Sequence, residues 1–345
     1  MYKKIYSTLN YYRIFIIFTL LFLIATAFAP NFFNLFNLNS LLKTTNLCAM
    51  LSIGLTMVMI SGQLDLSIQS VMNLGAVLTL GMFTNEKMPW SQAIAVGLLA
   101  GLTFGFINGF LVAKAKINSF IVTLGTMTIA QGCVFLYCKA GSIGVGSDFS
   151  FSDLLTDEIV PLLPPITLIT LITVGLFAFI LNKTEFGRNV YMVGGNPETA
   201  WLAGINRDFV YIAVFTLSGG LSALSGILFS IAQGTAVPNM GDKGISPLLL
   251  TIAAVIIGGV AMSGGTGGIV KSYFAVLSLV TLFNMLSCFG TGYEAQIFAA
   301  GFVLALIVLY ESVSFYFRDK IKGIRPKLLE EAAKMRKLPQ ESSPE

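Results

Sequence analysis

The sequence has no histidine and very little charge. Of its 345 residues, only 11% are Asp, Glu, Lys or Arg, whereas 55% are apolar. A soluble domain carries about 25% charged residues, so a water-soluble fold of this length could not cover its surface. The absence of histidine excludes a Ser-His triad, a His-zinc centre and a His proton relay. The composition therefore predicts an all-α fold that crosses a membrane several times.

Cysteine is also sparse. The four cysteines, Cys48, Cys133, Cys138 and Cys288, all lie in or beside apolar runs. None of them forms a C-x-x-C pair, the spacing typical of redox and metal sites. We therefore expect free thiols buried among apolar side chains rather than a disulfide or a metal cluster.

Long apolar runs dominate the rest of the chain. A membrane-spanning helix needs about 20 mainly apolar residues, and that length divides the sequence into ten candidate spans. Their approximate bounds are Ile14–Phe33, Thr44–Ser61, Ile68–Phe83, Ser91–Ala113, Ser119–Cys138, Pro161–Leu181, Phe209–Ala232, Ser246–Met262, Gly268–Cys288 and Tyr293–Phe315. The third and eighth spans are short and interrupted by Gly, Ser or Asn.

The distribution of basic residues predicts the orientation of these spans. With the N-terminus in the cytoplasm, 17 of the 21 Lys and Arg lie on the cytoplasmic side, as the positive-inside rule requires. An odd number of spans would place the basic C-terminal tail outside. We therefore predict cytoplasmic tails over residues 1–13 and 318–345, a membrane domain over 14–317, and a cytoplasmic loop over 183–208.

The cytoplasmic loop contains a short helix with both ends specified. Asn196 is typical of an N-cap, Pro197 suits the first helical position, and Glu198 lies near the positive end of the helix dipole. Gly204 suits a left-handed residue after the C-terminus. The sequence therefore predicts about two helical turns between two membrane spans.

This short helix carries the small and apolar residues Ala200, Trp201 and Ala203. We predict that the three form one compact apolar face. Such a face has two interpretations: it rests on the membrane interface, where Trp is common, or it docks into another protein.

Residues 59–76 place one acid and several amides between apolar runs. An ionisable group such as Asp65 within the membrane is expensive and suggests a function, although Asp65 could instead cap the third span together with Ser67. Broken helices are tolerated where they line a cavity or are buried in protein. The predicted pathway residues are therefore Gln63, Asp65, Ser67, Ser70 and Asn73 around the third span and Ser246 and Thr251 on the eighth. The alternative is that they hydrogen-bond neighbouring helices.

A glycine-rich segment, residues 258–272, imitates a nucleotide-binding P-loop. That motif requires glycine before the lysine, but Val270 precedes Lys271 here. A tight turn between two spans explains the segment better, because small residues allow helices to approach closely.

Several short motifs together resemble one family of membrane proteins. They are Phe120-Ile-Val-Thr-Leu-Gly125-Thr, Phe186-Gly-Arg, Gly195-Asn196, Ala203-Gly204-Ile205 and Ser263-Gly-Gly. In these motifs the chain resembles the permease subunit of ribose-type ATP-binding-cassette (ABC) sugar importers, over about residues 41–311. The family's Gly-Gly-x-Asp-Leu-Ser-x-Gly-Ser stretch lies here at residues 62–70, with Gln63 and Gln69 in place of two glycines.

The resemblance implies a set of partners and a location. It implies a second permease subunit (the same chain or a close homologue), a cytoplasmic ATPase with two cassettes, an extracytoplasmic sugar-binding protein, and the bacterial inner membrane with its lipid; no nucleic acid is implied. ATP and Mg would belong to the ATPase, so the permease itself would bind no cofactor and catalyse no reaction. The short helix would be the part that couples to the ATPase, through Gly187, Arg188, Gly195, Asn196, Pro197, Glu198, Ala200, Trp201, Ala203, Gly204 and Ile205.

The substrate class stays open at this point. A monosaccharide or similar small polyol is the first prediction, and a furanosyl quorum-sensing signal (autoinducer-2-like) is the alternative within the same importer type. An ion-coupled secondary transporter would need an embedded acid or cation site, for which Asp65 is the sole candidate. The spans offer no paired carboxylates or metal cluster for an enzyme.

Overall fold

The structure is a computed structural model that describes residues 2–139, 141–145, 153, 155–157, 163–241, 246–292, 294–299, 301–302, 305–306 and 309. Of residues 2–11 only the backbone is described. The chain divides into two compact units, residues 1–300 and 301–345. The described residues of the second unit are helical, and the predicted C-terminal tail lies outside the described residues.

The first unit is built almost entirely of helices. Its elements are α1 (Tyr2–Phe28), α2 (Leu35–Ile60), α3 (Ile68–Thr84), α4 (Trp90–Ala113), α5 (Ser119–Cys138), β1 (Ile143–Gly144), α6 (Pro165–Lys183), α7 (Glu185–Gly195), α8 (Pro197–Leu202), α9 (Arg207–Gln233), β2 (Thr235–Ala236), α10 (Pro247–Ile257) and α11 (Ile269–Cys288). The all-α architecture predicted from composition is confirmed. The two strands form one short antiparallel pair, Ile143 with Ala236 and Gly144 with Thr235, which the sequence did not predict.

Nine of the ten predicted spans correspond to described helices. Six of these, α2, α4, α5, α6, α9 and α11, are long and apolar enough to cross a membrane, and shorter apolar helices cover residues 12–28, 68–84 and 247–257. About half of the tenth predicted span lies outside the described residues. The full count of ten and the sidedness of the termini therefore stay predictions.

Helix α2 lies at the centre of the bundle. Every residue from Thr45 to Ile60 is buried, and α2 contacts α6, α9, α10 and α11. It begins at Leu35, nine residues before the predicted start at Thr44. The first turns of α2 contain polar residues, so the apolar pattern placed the start of the helix too late. These polar side chains have partners in the bundle: the amides of Asn37 and Asn284 on α11 donate to each other at 2.8 and 2.9 Å.

Helices α4 and α9 pack unusually closely because of glycine spacing. Gly97, Gly101, Gly105 and Gly109 recur every fourth residue, so they form one stripe along α4. A Cβ added at Gly105 would lie 2.3 Å from the carbonyl oxygen of Phe215 on α9. The stripe therefore brings the two backbones into direct contact, as small residues do between membrane helices.

Two helices are short because non-helical segments precede them inside the bundle. The entry segment, residues 61–67, follows α2 and leads into the 17-residue α3. The distal loop, residues 234–246, follows α9 and leads into the 11-residue α10; residues 242–245 of it are not described. The predicted eighth span ended at Met262, but α10 ends at Ile257 because the glycine-rich turn begins at the next residue.

Candidate functional site

The loop between α6 and α9 contains two helices rather than one. The predicted caps of α8 are confirmed: the Asn196 side chain accepts hydrogen bonds from the backbone N–H groups of Glu198 and Thr199, both at 3.0 Å. Gly204 has a left-handed φ of +80°. Helix α7, which the sequence analysis missed, begins after Thr184, whose hydroxyl accepts a hydrogen bond from the Gly187 N–H at 3.3 Å.

The predicted apolar face of α8 is wrong in one respect. Ala200 is only 1% exposed and packs inside the chain, whereas Trp201 and Leu202 are 63% and 78% exposed. Ala203 is also exposed. The outward surface of α8, which we call the docking surface, therefore consists of Trp201, Leu202 and Ala203. Ala200 instead anchors the helix to the bundle.

Helix α7 joins the bundle through a glycine junction made by Gly62, Gly194, Gly264 and Gly265. A Cβ added at Gly194 would lie 1.7 Å from the carbonyl oxygen of Ile60, and one added at Gly265 would lie 2.7 Å from the Cα atom of Gly195. The Gly265 N–H also donates to the Ile60 carbonyl at 2.8 Å. Backbone therefore contacts backbone where α7, the end of α2 and the α10–α11 turn meet.

The glycine junction also depends on left-handed backbone and on one tyrosine. Gly62, Gly264 and Gly265 have φ values of +82°, +82° and +75°, a conformation that side chains other than glycine's rarely adopt. The Tyr191 hydroxyl of α7 donates to the carbonyl oxygen of Gly267 at 2.9 Å, and burial raises the pKa of this phenol, so it stays protonated as a donor. The predicted tight turn between two spans is confirmed in this way.

Asp65 lies in the entry segment and is 1% exposed. One carboxylate oxygen accepts from the Ser67 N–H at 3.0 Å and from the Ser67 hydroxyl at 2.6 Å. The other accepts from the Ser218 hydroxyl on α9 at 2.9 Å, and the Asn108 amide on α4 donates to the Ser67 hydroxyl at 2.9 Å. Asp65 thus links the start of α3 to α4 and α9. The predicted cap of the third span is not seen, because Asp65 accepts from Ser67 rather than from the first helical turn, and the Ser67 side chain makes no capping hydrogen bond.

The predicted pathway residues differ in their burial. Five of them, Asp65, Ser67, Ser70, Asn73 and Thr251, are buried, and Gln63 and Ser246 are half-buried. Ser246 donates to the side-chain oxygen of Gln69, which also accepts from the Leu248 N–H at 3.2 Å. Gln69, where the resembling family has glycine, therefore joins the first turns of α3 and α10.

Gln63 lies apart from the other predicted pathway residues. It lines a cavity of about 330 Å³ at the end of the bundle that carries α8, together with Lys116, Arg207 and Tyr211. At this end the Lys114 ammonium pairs with the Asp208 carboxylate at 2.8 Å. The cavity is open, and its charged lining residues are Lys116, Arg207 and Asp208.

Two residues that sequence reasoning missed make long-range contacts. Gln69 and Gln131 are amides inside apolar helices, and such placement is itself a signal, because polar groups in membrane spans need partners. The Gln131 side chain on α5 donates to the Pro238 carbonyl oxygen of the distal loop at 2.9 Å. The four cysteines are free as predicted, but only Cys48 is buried; Cys138 and Cys288 are half-buried, and Cys133 is exposed on the surface of α5.

Comparison with known proteins agrees with the resemblance drawn from the motifs. Residues 37–310 match the family described as "Branched-chain amino acid transport system / permease component". The chain is 32% identical over 294 residues to the ribose import permease protein RbsC of Bacillus subtilis (strain 168), covering 85% of this chain and 89% of that protein.

Two other relatives have different printed substrates. The L-arabinose transport system permease protein AraH of Escherichia coli (strain K12) is 33% identical over 302 residues, which are 87% of this chain and 90% of that protein. The autoinducer 2 import system permease protein LsrC of Yersinia enterocolitica is 31% identical over 282 residues, 81% of this chain and 76% of that protein. No solved structure matches the chain.

Proposed function

The chain belongs to the family of transport-system permease components that it matches over residues 37–310, and we propose that it forms the membrane pathway of an ABC importer for a monosaccharide. It is a multi-pass membrane protein and a transport permease rather than an enzyme. The proposed complex contains a second permease subunit, a cytoplasmic ATPase with two cassettes that holds ATP and Mg, and an extracytoplasmic sugar-binding protein.

The docking surface is the observation that carries this proposal. An exposed Trp and Leu on a capped six-residue helix are suited to fill an apolar cleft, since aromatic anchors dominate protein interfaces. The glycine junction ties this surface to the end of α2 and to the α10–α11 turn without intervening side chains. A displacement of α8 by the ATPase would therefore reach the membrane helices directly.

The proposed substrate class follows from the relatives and from the polar groups in the bundle. The relatives' names specify ribose, L-arabinose and autoinducer 2, and the first two are pentoses. Most of the buried polar residues in the described helices are Ser, Thr and Asn, which suit neutral hydroxylated molecules better than ions. A monosaccharide stays the first proposal, and an autoinducer-2-like furanosyl signal is the alternative.

The geometry at Asp65 argues against ion-coupled secondary transport. The Asp65 carboxylate is held by the Ser67 N–H and by the hydroxyls of Ser67 and Ser218, which donate to it. These donors occupy both carboxylate oxygens. In this conformation Asp65 is therefore a structural link rather than a coupling site.

Reconstitution tests the proposal. The permease would be placed in liposomes with the ATPase and the binding protein of the proposed complex, and uptake of radiolabelled D-ribose, L-arabinose and autoinducer 2 would be measured. We expect uptake of one of these only with ATP. The Leu202→Glu variant should assemble in the membrane but lose at least tenfold of the ATP-dependent uptake, because the charge opposes docking in an apolar cleft.

The Ala200→Glu variant is a control for loss of folding. Because Ala200 is buried against the bundle, this variant should lose folded protein rather than coupling alone. Uptake driven by an ion gradient without ATP would contradict the importer. Normal ATP-dependent uptake by the Leu202→Glu variant would instead show that α8 does not dock the ATPase. It would favour the alternative interpretation, in which Trp201 rests on the membrane interface.

A further inference from the structure

Three amide side chains meet where the distal loop enters the bundle. The Asn73 amide on α3 donates to the side-chain oxygen of Gln131 on α5 at 3.3 Å, and the Gln131 amide donates to the side-chain oxygen of Asn239 at 3.3 Å. Loop backbone completes the cluster, since the Met240 N–H donates to the Asn73 oxygen at 3.3 Å. We call Asn73, Gln131 and Asn239 the amide cluster.

The amide cluster lies well inside the bundle rather than at its surface end. Gln131 is seven residues before the last residue of α5, Cys138, which places it about 10 Å below that end at 1.5 Å per residue. Asn73 is eleven residues before the end of α3, a depth of about 16 Å. Since α5 has the length of one membrane crossing, the cluster lies at membrane depth.

The exposure of the cluster is inconsistent with contact to lipid. Asn73 is buried, but Gln131 is only half-buried and Asn239 is exposed. Amide groups at this depth need hydrogen-bonding partners, and non-helical backbone such as the distal loop is found only where it is buried in protein or lines a water-filled cavity. Apolar side chains occupy the other side of α5, for example Ile129, which is 60% exposed.

From this placement we propose that the amide cluster contacts the transported sugar and lines the pathway. The proposal rests on the proposed import function and identifies residues that set its substrate class. An amide offers one acceptor and two donors, so Gln131 and Asn239 match neighbouring sugar hydroxyls. The proposal differs from the prediction made from the sequence. The pathway is lined by the face that α5 and the distal loop share, rather than by Ser70 and Thr251, which are buried.

The same contacts explain how the pathway is closed in this structure. Gln131 uses its donors on the Pro238 carbonyl and on Asn239, so the distal loop takes the positions that sugar hydroxyls would occupy. Opening requires the loop to withdraw and the amides to exchange these bonds for bonds to sugar. No buried charge has to move, because the bonds of the cluster join neutral groups.

Thiol labelling tests which groups face water. In a background with Cys48, Cys133, Cys138 and Cys288 replaced by alanine, the Gln131→Cys and Asn239→Cys variants would be treated with the charged, membrane-impermeant reagent methanethiosulfonate ethyltrimethylammonium. We expect both to react. The matched control is Ile129→Cys, which lies at nearly the same depth but about 160° around the helix, and it should not react.

Transport provides the second readout. In the reconstituted complex, Gln131→Leu should lower the uptake rate of the accepted sugar at least tenfold, whereas Ile129→Leu should leave it unchanged. Absence of labelling at both positions, with and without ATP, would overturn the proposal, and so would normal uptake by Gln131→Leu. If the unmodified complex takes up none of the sugars, the import function itself fails, and the labelling still reports whether the cluster faces water.

Discussion

The entry segment and the distal loop both bring non-helical backbone into the bundle, but different contacts hold them. At the entry segment, glycine backbones touch without side chains between them and a buried carboxylate accepts three hydrogen bonds at 2.6–3.0 Å. At the distal loop, amide side chains bond at 2.9–3.3 Å, and one of them is exposed.

In the proposed transport cycle, the entry segment transmits motion and the distal loop releases its contacts. Backbone that is packed against backbone has no side chain that can rotate aside, so we expect the entry segment to follow any displacement of α7. Neutral hydrogen bonds contribute only about 1 kcal/mol each, so the few bonds of the distal loop can break when the pathway opens. Substitutions in the two regions should therefore have different costs.

The largest effect is expected at the glycine junction. Gly194→Ala places a Cβ 1.7 Å from the Ile60 carbonyl oxygen, a clash with backbone that no rotamer relieves, so the cost should exceed about 3 kcal/mol. Yield and melting temperature of the purified protein measure it. Gly195→Ala is the matched control, because nothing lies within 4 Å of its added Cβ. A Gly194→Ala protein as stable as this control would contradict the rigid junction.

An intermediate effect is expected at Asp65. Asp65→Leu removes the acceptor of three donors, and each buried donor left without a partner costs about 1–3 kcal/mol. Asp65→Asn keeps the shape and one oxygen, so it should be less harmful. Melting temperatures should fall in the order unmodified protein, Asp65→Asn, Asp65→Leu. If Asp65→Leu melts at the temperature of the unmodified protein, the carboxylate does not hold the entry segment in place.

The smallest effect is expected at Gln69, which joins α3 to α10. Gln69→Ala removes the acceptor for the Leu248 N–H, a loss comparable to that of a helix cap, about 0.5–2 kcal/mol. The melting temperature should fall by a few degrees. Gln92→Ala, at an exposed position of α4, makes the same chemical change without this contact. Equal melting temperatures for the two variants would show that the link contributes nothing.

Features set by neighbouring residues could be predicted from the sequence. Asn196, Pro197 and Gly204 determine the ends of α8 through their own backbone and side-chain chemistry, and the predicted bounds of α5 agree with the structure. The glycine-rich turn was predicted for the same reason, since left-handed backbone favours glycine. Local chemistry was sufficient in each case.

Features that depend on distant contacts could not be predicted. A six-residue helix has fewer than two turns, so its pattern could not show that Ala200 faces inward. The length of an apolar run shows that a segment can cross a membrane, but not how deep a loop lies. The position of the distal loop inside the bundle could therefore not be predicted. The amide cluster joins Asn73, Gln131 and Asn239, which are far apart in the chain, and no spacing rule connects them.

The link at Gln69 has an electrostatic consequence for the bundle. Helices α3 and α10 both begin inside it, and Gln69 brings their first turns together. Each helix N-terminus carries about half a positive charge, and Asp65 offsets that of α3 through its bonds to Ser67. The dipole of α10 thus points its positive end into the interior. Oriented half-helices of this kind repel protons and cations in membrane pores, whereas a neutral solute passes without opposition. If the proposed pathway passes this point, the arrangement would preserve the ion gradients of the membrane while an uncharged sugar crosses it.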